Sequence, residues 1–312
     1  MFDGADVVTL DAEVTLRGSG AAVQNESSAN ALLQSSALTN TIGSGGMLAI
    51  RDGVTFTTGG DTLVSAGGLL DIDTGTTFKV ATGFDLLNIS PAGVLSDAGI
   101  ILKGTLQADN ADVAEVGGGA DLTLDGDGSQ LLNGAGQSAF LGLERIDSGS
   151  LTIKGGRDLT ITNSATPLTL SGATGKLTVG PGAPADGPGM GNASILTVTG
   201  DVSVSAGTLL VDDGLLSIGG ATGLTQSGGT LTLANGGEIA FGGSGSYVQT
   251  GGGLTGTGTI DGMLALNGTL SPGASAGTIH VTGDVTVRPD ALFVFEIESA
   301  TVFDQLTVGG SV

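Results

Sequence analysis

The chain has no cysteine and no tryptophan, a single tyrosine and a single histidine. Without cysteine there are no disulfides and no thiol chemistry, which by itself names no compartment. One histidine cannot supply a multi-histidine metal site. Basic residues are nearly as scarce, nine Lys and Arg against 31 Asp and Glu, a formal net charge of −22. Nine cations cannot form a phosphate-tracking stripe, so nucleic acid is excluded as a partner. Anionic lipid surfaces repel such a chain. No apolar run approaches the ~20 residues of a spanning helix. The start, Met1-Phe2-Asp3-Gly4, has neither the basic nor the apolar region of a signal peptide. Met1 is therefore read as an added start codon or a trimmed end.

What is abundant is glycine, 59 of 312 residues, together with Val, Leu, Ile and Thr. At 39% hydrophobic residues the chain can bury a core, which separates it from glycine-rich disorder. Glycine every few residues disfavours helices and suits short strands joined by tight turns. The one passage that could carry a helix is Asn25 to Leu38, for which a polar loop is the plainer reading.

Short Gly-x-apolar-x-apolar segments recur. Gly207-Thr-Leu-Leu-Val211 returns 22 residues later as Gly229-Thr-Leu-Thr-Leu233, and Gly214-Leu-Leu-Ser-Ile218 returns after 23 as Gly237-Glu-Ile-Ala-Phe241. Gly258-Thr-Ile260 returns after 19 as Gly277-Thr-Ile279. Gly262-Met-Leu-Ala-Leu266 returns after 21 as Gly283-Asp-Val-Thr-Val287. Alternation sends successive side chains to opposite faces of a strand, so Leu264, Leu266, Ile279 and Val281 are expected inward and His280 outward. Two or three strands of four to five residues fit one repeat, the length of a parallel β-helix coil. The predicted fold is therefore all-β, a right-handed parallel β-helix, since crossovers between parallel strands are right-handed. About 14 coils stacked ~4.8 Å apart make an elongated rod of about 65 Å. A hairpin meander or β-sandwich is the rival, signalled by Asp52-Gly53, Asn235-Gly236 and Asn267-Gly268.

The expected organisation is a less regular β-helix over 1–179, a Pro/Gly-rich loop or linker over 180–192, and a more regular β-helix over 193–312 with an open last coil. The 180–192 stretch holds three of the seven prolines, and Gln107 to Gly119 reads as another side loop.

Candidate chemistry is thin. Asp212 and Asp213 are a carboxylate pair of the kind glycosidases use, but a coil corner is the plainer reading. After Lys176 the only cation is Arg288, too few for lyase chemistry on acidic glycans. Asp121, Asp125 and Asp127 have oxygen-ligand spacing for Ca²⁺ but lack the full loop pattern. Tyr247 reads as core. Thr255 and Thr257 have the Thr-x-Thr form of an ice-binding array without its regular repetition. No catalytic, cofactor-binding or metal residue is assigned, and no cofactor is expected.

One region is more specific. Gly252-Gly-Leu-Thr-Gly-Thr-Gly-Thr-Ile260, then Leu264 to Ile279 with the run Ser271-Pro-Gly-Ala-Ser-Ala-Gly-Thr278, then Val281 to Val287, Ala291 to Ile297 and Asp304 to Gly309 follow one another in a set order. This order resembles the β-strand repeats of autotransporter passengers and related bacterial adhesins, over roughly 85 residues. The resemblance implies secretion to the cell surface, a right-handed β-helix and anchoring by a downstream outer-membrane barrel. The role it implies is stalk and interaction surface, with a host or cell-surface protein or glycan as partner. End-to-end self-association through the last coil is a further expectation. The alternatives are a polysaccharide-active β-helix enzyme and a non-adhesive surface scaffold or fibre protein. On the residues alone, Pro272 and Gly273 are a type II turn signal and not a phosphate loop, because no Lys follows the glycines.

Overall fold

A computed structural model of the chain describes residues 6–24, 30–163, 165–181, 193–273 and 276–312. Among these residues there are 33 strands and no helix. Residues 30–38, in the passage that could carry a helix, form turns and bends, with Leu33 at φ +52°. The chain divides into two compact units, Met1–Gly142 and Leu143–Val312.

In the second unit the strands fall into three parallel columns that the chain visits in turn. One runs Leu168–Leu170, Val202–Val204, Gly223–Gln226, Ser246–Gln249, Leu264–Leu266 and Val285–Val287. A second runs through Lys176–Val179, Thr208–Asp212 and the first half of Thr230–Phe241. A third runs through Ile195–Val198, Leu215–Ile218 and the second half of Thr230–Phe241. Alternation decides what each column buries. Leu151, Leu177, Leu209, Leu231, Leu254 and Leu270 stack in register, each at most 2% exposed. Burying a side chain of this size contributes ~1.5–3 kcal/mol relative to leaving it in water. No single strand can bury its own apolar face, so the core exists only through the stacking of parallel strands.

The first unit is built the same way. Met47–Arg51, Leu69–Ile72, Gly99–Leu102 and Asp121–Asp125 pair in sequence, carrying Leu48, Leu70, Ile100 and Leu122 inward. Thr55–Thr57, Thr77–Lys79, Thr105–Gln107 and Gln130–Leu132 form a four-stranded parallel sheet. Its buried Phe56 and Phe78 stack with ring centroids 5.6 Å apart.

Every pairing between these strands is parallel, and antiparallel contacts are isolated bridges such as Ile89 with Leu95. The hairpin meander therefore does not form. Its turn signals are used differently: Asp52 and Gly53 take φ +57° and +76°, Asn235 and Gly236 +50° and +87°. These are mirror-image turn angles, but here they bend the chain from one column to the next, and the strands on either side do not pair. At the same kind of corner Gly256 has φ +99°, and a Cβ there would lie 1.9 Å from the Leu233 carbonyl oxygen.

The register agrees with three of the four repeats read from the sequence. Val211 pairs with Leu233, Leu215 with Glu238, and Leu264 with Val285. The fourth is corrected. Gly258 pairs with Ile279, and Ile260 with Val281, a spacing of 21 where sequence similarity gave 19. A slip of two keeps the same face inward, so apolar alternation cannot tell the registers apart. The repeat length is also wider than 19–23. Gly253 pairs with Thr269, 16 residues on, and Asp158 with Ile195, 37 residues on. Most of the Pro/Gly-rich 180–192 stretch lies outside the described residues, as does part of the Ser271 to Thr278 turn; Gly273 has the left-handed φ of +87° that its turn signal requires. Gln107 to Gly119, expected as a side loop, contains the strand Glu115–Val116 and buries Ala108, Ala111 and Val113.

Candidate polar cleft

In the first unit, three of the asparagines, Asn88, Asn110 and Asn133, recur at spacings of 22 and 23 residues. Asn88 is 2% exposed and acts as a substitute strand residue. Its Oδ1 accepts from the Val64 N–H at 2.8 Å, and its Nδ2 donates to the Val64 carbonyl at 2.8 Å. Asn110 repeats this on Leu86, accepting from its N–H at 2.9 Å and donating to its carbonyl at 3.0 Å. A carboxamide carries donor and acceptor side by side, as a peptide group does, so it completes a ladder where the strands stop. Asn133 accepts from the Ala135 and Gln137 N–H groups and donates to Asp112 Oδ1 at 2.8 Å.

These amides tie together three stacked non-strand segments, around Ser90–Gly93, Asn110–Ala114 and Asn133–Gly142. Backbone bonds complete the tie, Ala114 N–H to Gly93 O at 2.9 Å and Val113 N–H to Ala139 O at 2.8 Å. Between them lies a cleft of about 640 Å³. Its polar rim includes Ser90, Asp112, Asn133, Gln137 and Ser138; Val113 and Ala139 lie at its apolar floor. No Lys or Arg lines it, and Asp112 is its one carboxylate. The residues of this cleft are not singled out by composition or motif. The signal that was present is the asparagine at coil spacing.

The residues the sequence does single out are not brought together. His280 is exposed, its Nδ1 2.8 Å from Thr307 Oγ1, while Ile279 and Val281 are fully buried. Asp213 has φ +50° at a corner, and Asp212 Oδ1 accepts from Asn235 Nδ2 at 2.6 Å. Asp121 and Asp125 are four apart on one strand, which separates them by ~13 Å, and Asp125 lies 3.9 Å from Lys103 Nζ. Among the described residues no three His, Cys, Asp or Glu side chains gather as a metal site. Thr255 lies 3.1 Å from Thr232, hydroxyl to hydroxyl, on an outward strand face.

Tyr247 is fully buried, in column with Leu224 and Leu264. Its hydroxyl donates to Gln226 Oε1, and Gln249 Nε2 donates to the same oxygen at 3.3 Å. Burial holds the phenol well above the ordinary tyrosine range. Arg51, beside Asp71, is held above its usual value mainly by that hydrogen bond, against the opposing effect of burial.

No family model, curated protein or solved structure matches the chain. Among the described residues no helix is long and apolar enough to cross a membrane, which says nothing of strands.

Proposed function

We propose that the chain is a right-handed parallel β-helix from a bacterial surface protein of the autotransporter kind, serving as stalk and interaction surface. The observation that carries this reading is the parallel stacking of three strand columns, with apolar residues facing inward in register. The ordered repeats from Gly252 to Gly309 supply the link to passenger proteins, and with it a location at the cell surface. A structural role is preferred to a glycan-cleaving one because Asp213 sits at a chain corner with a left-handed φ and Asp212 is held by Asn235.

Self-association belongs to the same proposal. Val285–Val287, Leu292–Phe293 and Gln305–Val308 each have a single ladder partner among the described strands. Beside them Leu292, Phe295 and Ile297 are exposed at 57%, 41% and 78%. Val285 N–H is already taken by Ser311 O at 2.8 Å; a strand edge with one ladder partner is a template for another strand, and a second copy of this chain is the occupant proposed. Salt screens the repulsion between two −22 chains, so sedimentation velocity should show more dimer as ionic strength rises.

The surface reading is tested with antibody raised against the chain. Labelling of intact, unpermeabilised cells is expected. Labelling only after lysis overturns it.

A further inference from the structure

We infer that the cleft between Ser90 and Gly142 is a binding site for a neutral saccharide. The inference stands on the cleft itself and is independent of the stalk reading. Three properties select the ligand class. The rim offers carboxamide, hydroxyl and carboxylate groups, through Asn133, Gln137, Ser90, Ser138 and Asp112. Such groups pair with the adjacent hydroxyls of a sugar, each of which both donates and accepts. The exposed Pro91, Ala92 and Leu141, the last 40% exposed, present apolar surface to the cleft above the buried Val113 and Ala139. A pyranose ring has this same division, with hydroxyls at its edge and C–H groups on its face. Third, the lining holds no cation and the chain carries −22, which disfavours uronates, sulfated sugars and phosphates.

The volume of about 640 Å³ falls within the ~300–1,000 Å³ of small-molecule sites. The walls are preorganised, because Asn110 Nδ2 also donates to Ile89 O at 2.9 Å and the three segments are cross-bonded. Fixed walls reduce the ordering cost of binding. Asp112 Oδ1 is already engaged by Asn133 Nδ2 at 2.8 Å, which orients the carboxylate. Most glycoside hydrolases place two carboxyl groups across the bond; with one in the lining, the inference is of a binding site.

The test is a titration of the whole chain with cellobiose, maltose, lactose and chitobiose, followed by amide NMR shifts. At least one disaccharide is expected to shift the amides of Gly93, Ala114, Gln137 and Ser138 in a saturable way. Chondroitin disaccharide sulfate at the same concentration is expected to leave them in place. Gln137→Ala, at an exposed side chain, and Asp112→Asn, which keeps an acceptor for Asn133, should each weaken the affinity at least tenfold with unchanged far-UV circular dichroism. Three results overturn the inference: no saturable shift with any of the four sugars, equal shifts with the sulfated disaccharide, or unchanged affinity in both variants. Saturation by a neutral tripeptide in place of the sugars would do so too, assigning the cleft to peptides.

Discussion

The two units solve one problem in different ways. In Met1–Gly142 the ladder is interrupted by non-strand segments, and asparagines complete it: the buried Asn40 and Asn88 and the half-buried Asn110 each bond backbone groups of a neighbouring segment. In Leu143–Val312 two strands carry the ladder round a corner without stopping. Thr230–Phe241 and Gly253–Asp261 each run through a bend and pair on two columns. Glycine makes that possible, since a Cβ at Gly237 would lie 2.1 Å from the Val211 carbonyl oxygen. The lesson is that where the ladder is interrupted a polar cleft is left beside the apolar columns that both units share. The second unit's polar intrusion, Gln226 with Tyr247 and Gln249, satisfies most of its own groups inside.

The largest effect that bears on this contrast is expected from Phe78→Ala. It removes a fully buried ring stacked on Phe56 and should cost ~3–5 kcal/mol in chemical denaturation. A loss under ~1 kcal/mol would mean the first unit does not depend on its aromatic column. Next comes Asn88→Ala. It strands the Val64 N–H and C=O, at ~1–3 kcal/mol for an unmet buried group. Asn235→Ala changes only an exposed corner of the second unit, and the left-handed φ of +50° makes its cost ~1 kcal/mol. Equal losses for the two asparagines would break the comparison.

Tyr247 sharpens it through pH. Its folded pKa is raised, so below the ordinary value of ~10 neither state is ionised and stability is unaffected. Above ~10 the unfolded phenol loses its proton while the buried one keeps it, so stability falls as pH rises. Because this is the only tyrosine, and tryptophan is absent, ultraviolet absorbance reports it alone. The folded protein should show no phenolate at pH 11, and denatured protein should titrate near ~10. Titration near 10 in the folded state would place the ring outside the core. Tyr247→Phe should cost ~1 kcal/mol below pH 9, since Gln226 Oε1 keeps its bond from Gln249.

The smallest effects are expected outside the columns. His280→Ala should change stability within ~0.5 kcal/mol, although Ile279 beside it is fully buried and its truncation should cost ~2–5 kcal/mol. Arg17→Ala removes an exposed pair with Asp52 at 3.5 Å, worth ~0–1 kcal/mol and less in salt. A loss above 2 kcal/mol at either His280 or Arg17 would reverse the assignment of faces.

By itself the sequence determined the class of fold and the facing of its strands. Alternation is a property of adjacent residues, so Leu264, Leu266, Ile279 and Val281 inward and His280 outward could be read without knowing any neighbour. The repeats at Gly207 and Gly214 likewise carried their register, because their corners and strands recur at equal length. Only tertiary structure decided the rest. Ile260 meets Val281 because a two-residue slip preserves the buried face, and stacking on Gly258 selects between registers. Tyr247 reaches Gln226, 21 residues away, because both face one interior. The cleft depends on where three loops of unequal length stop when their coils stack. Such distances are set by which segments lie on one another, a quantity that no local pattern of residues contains.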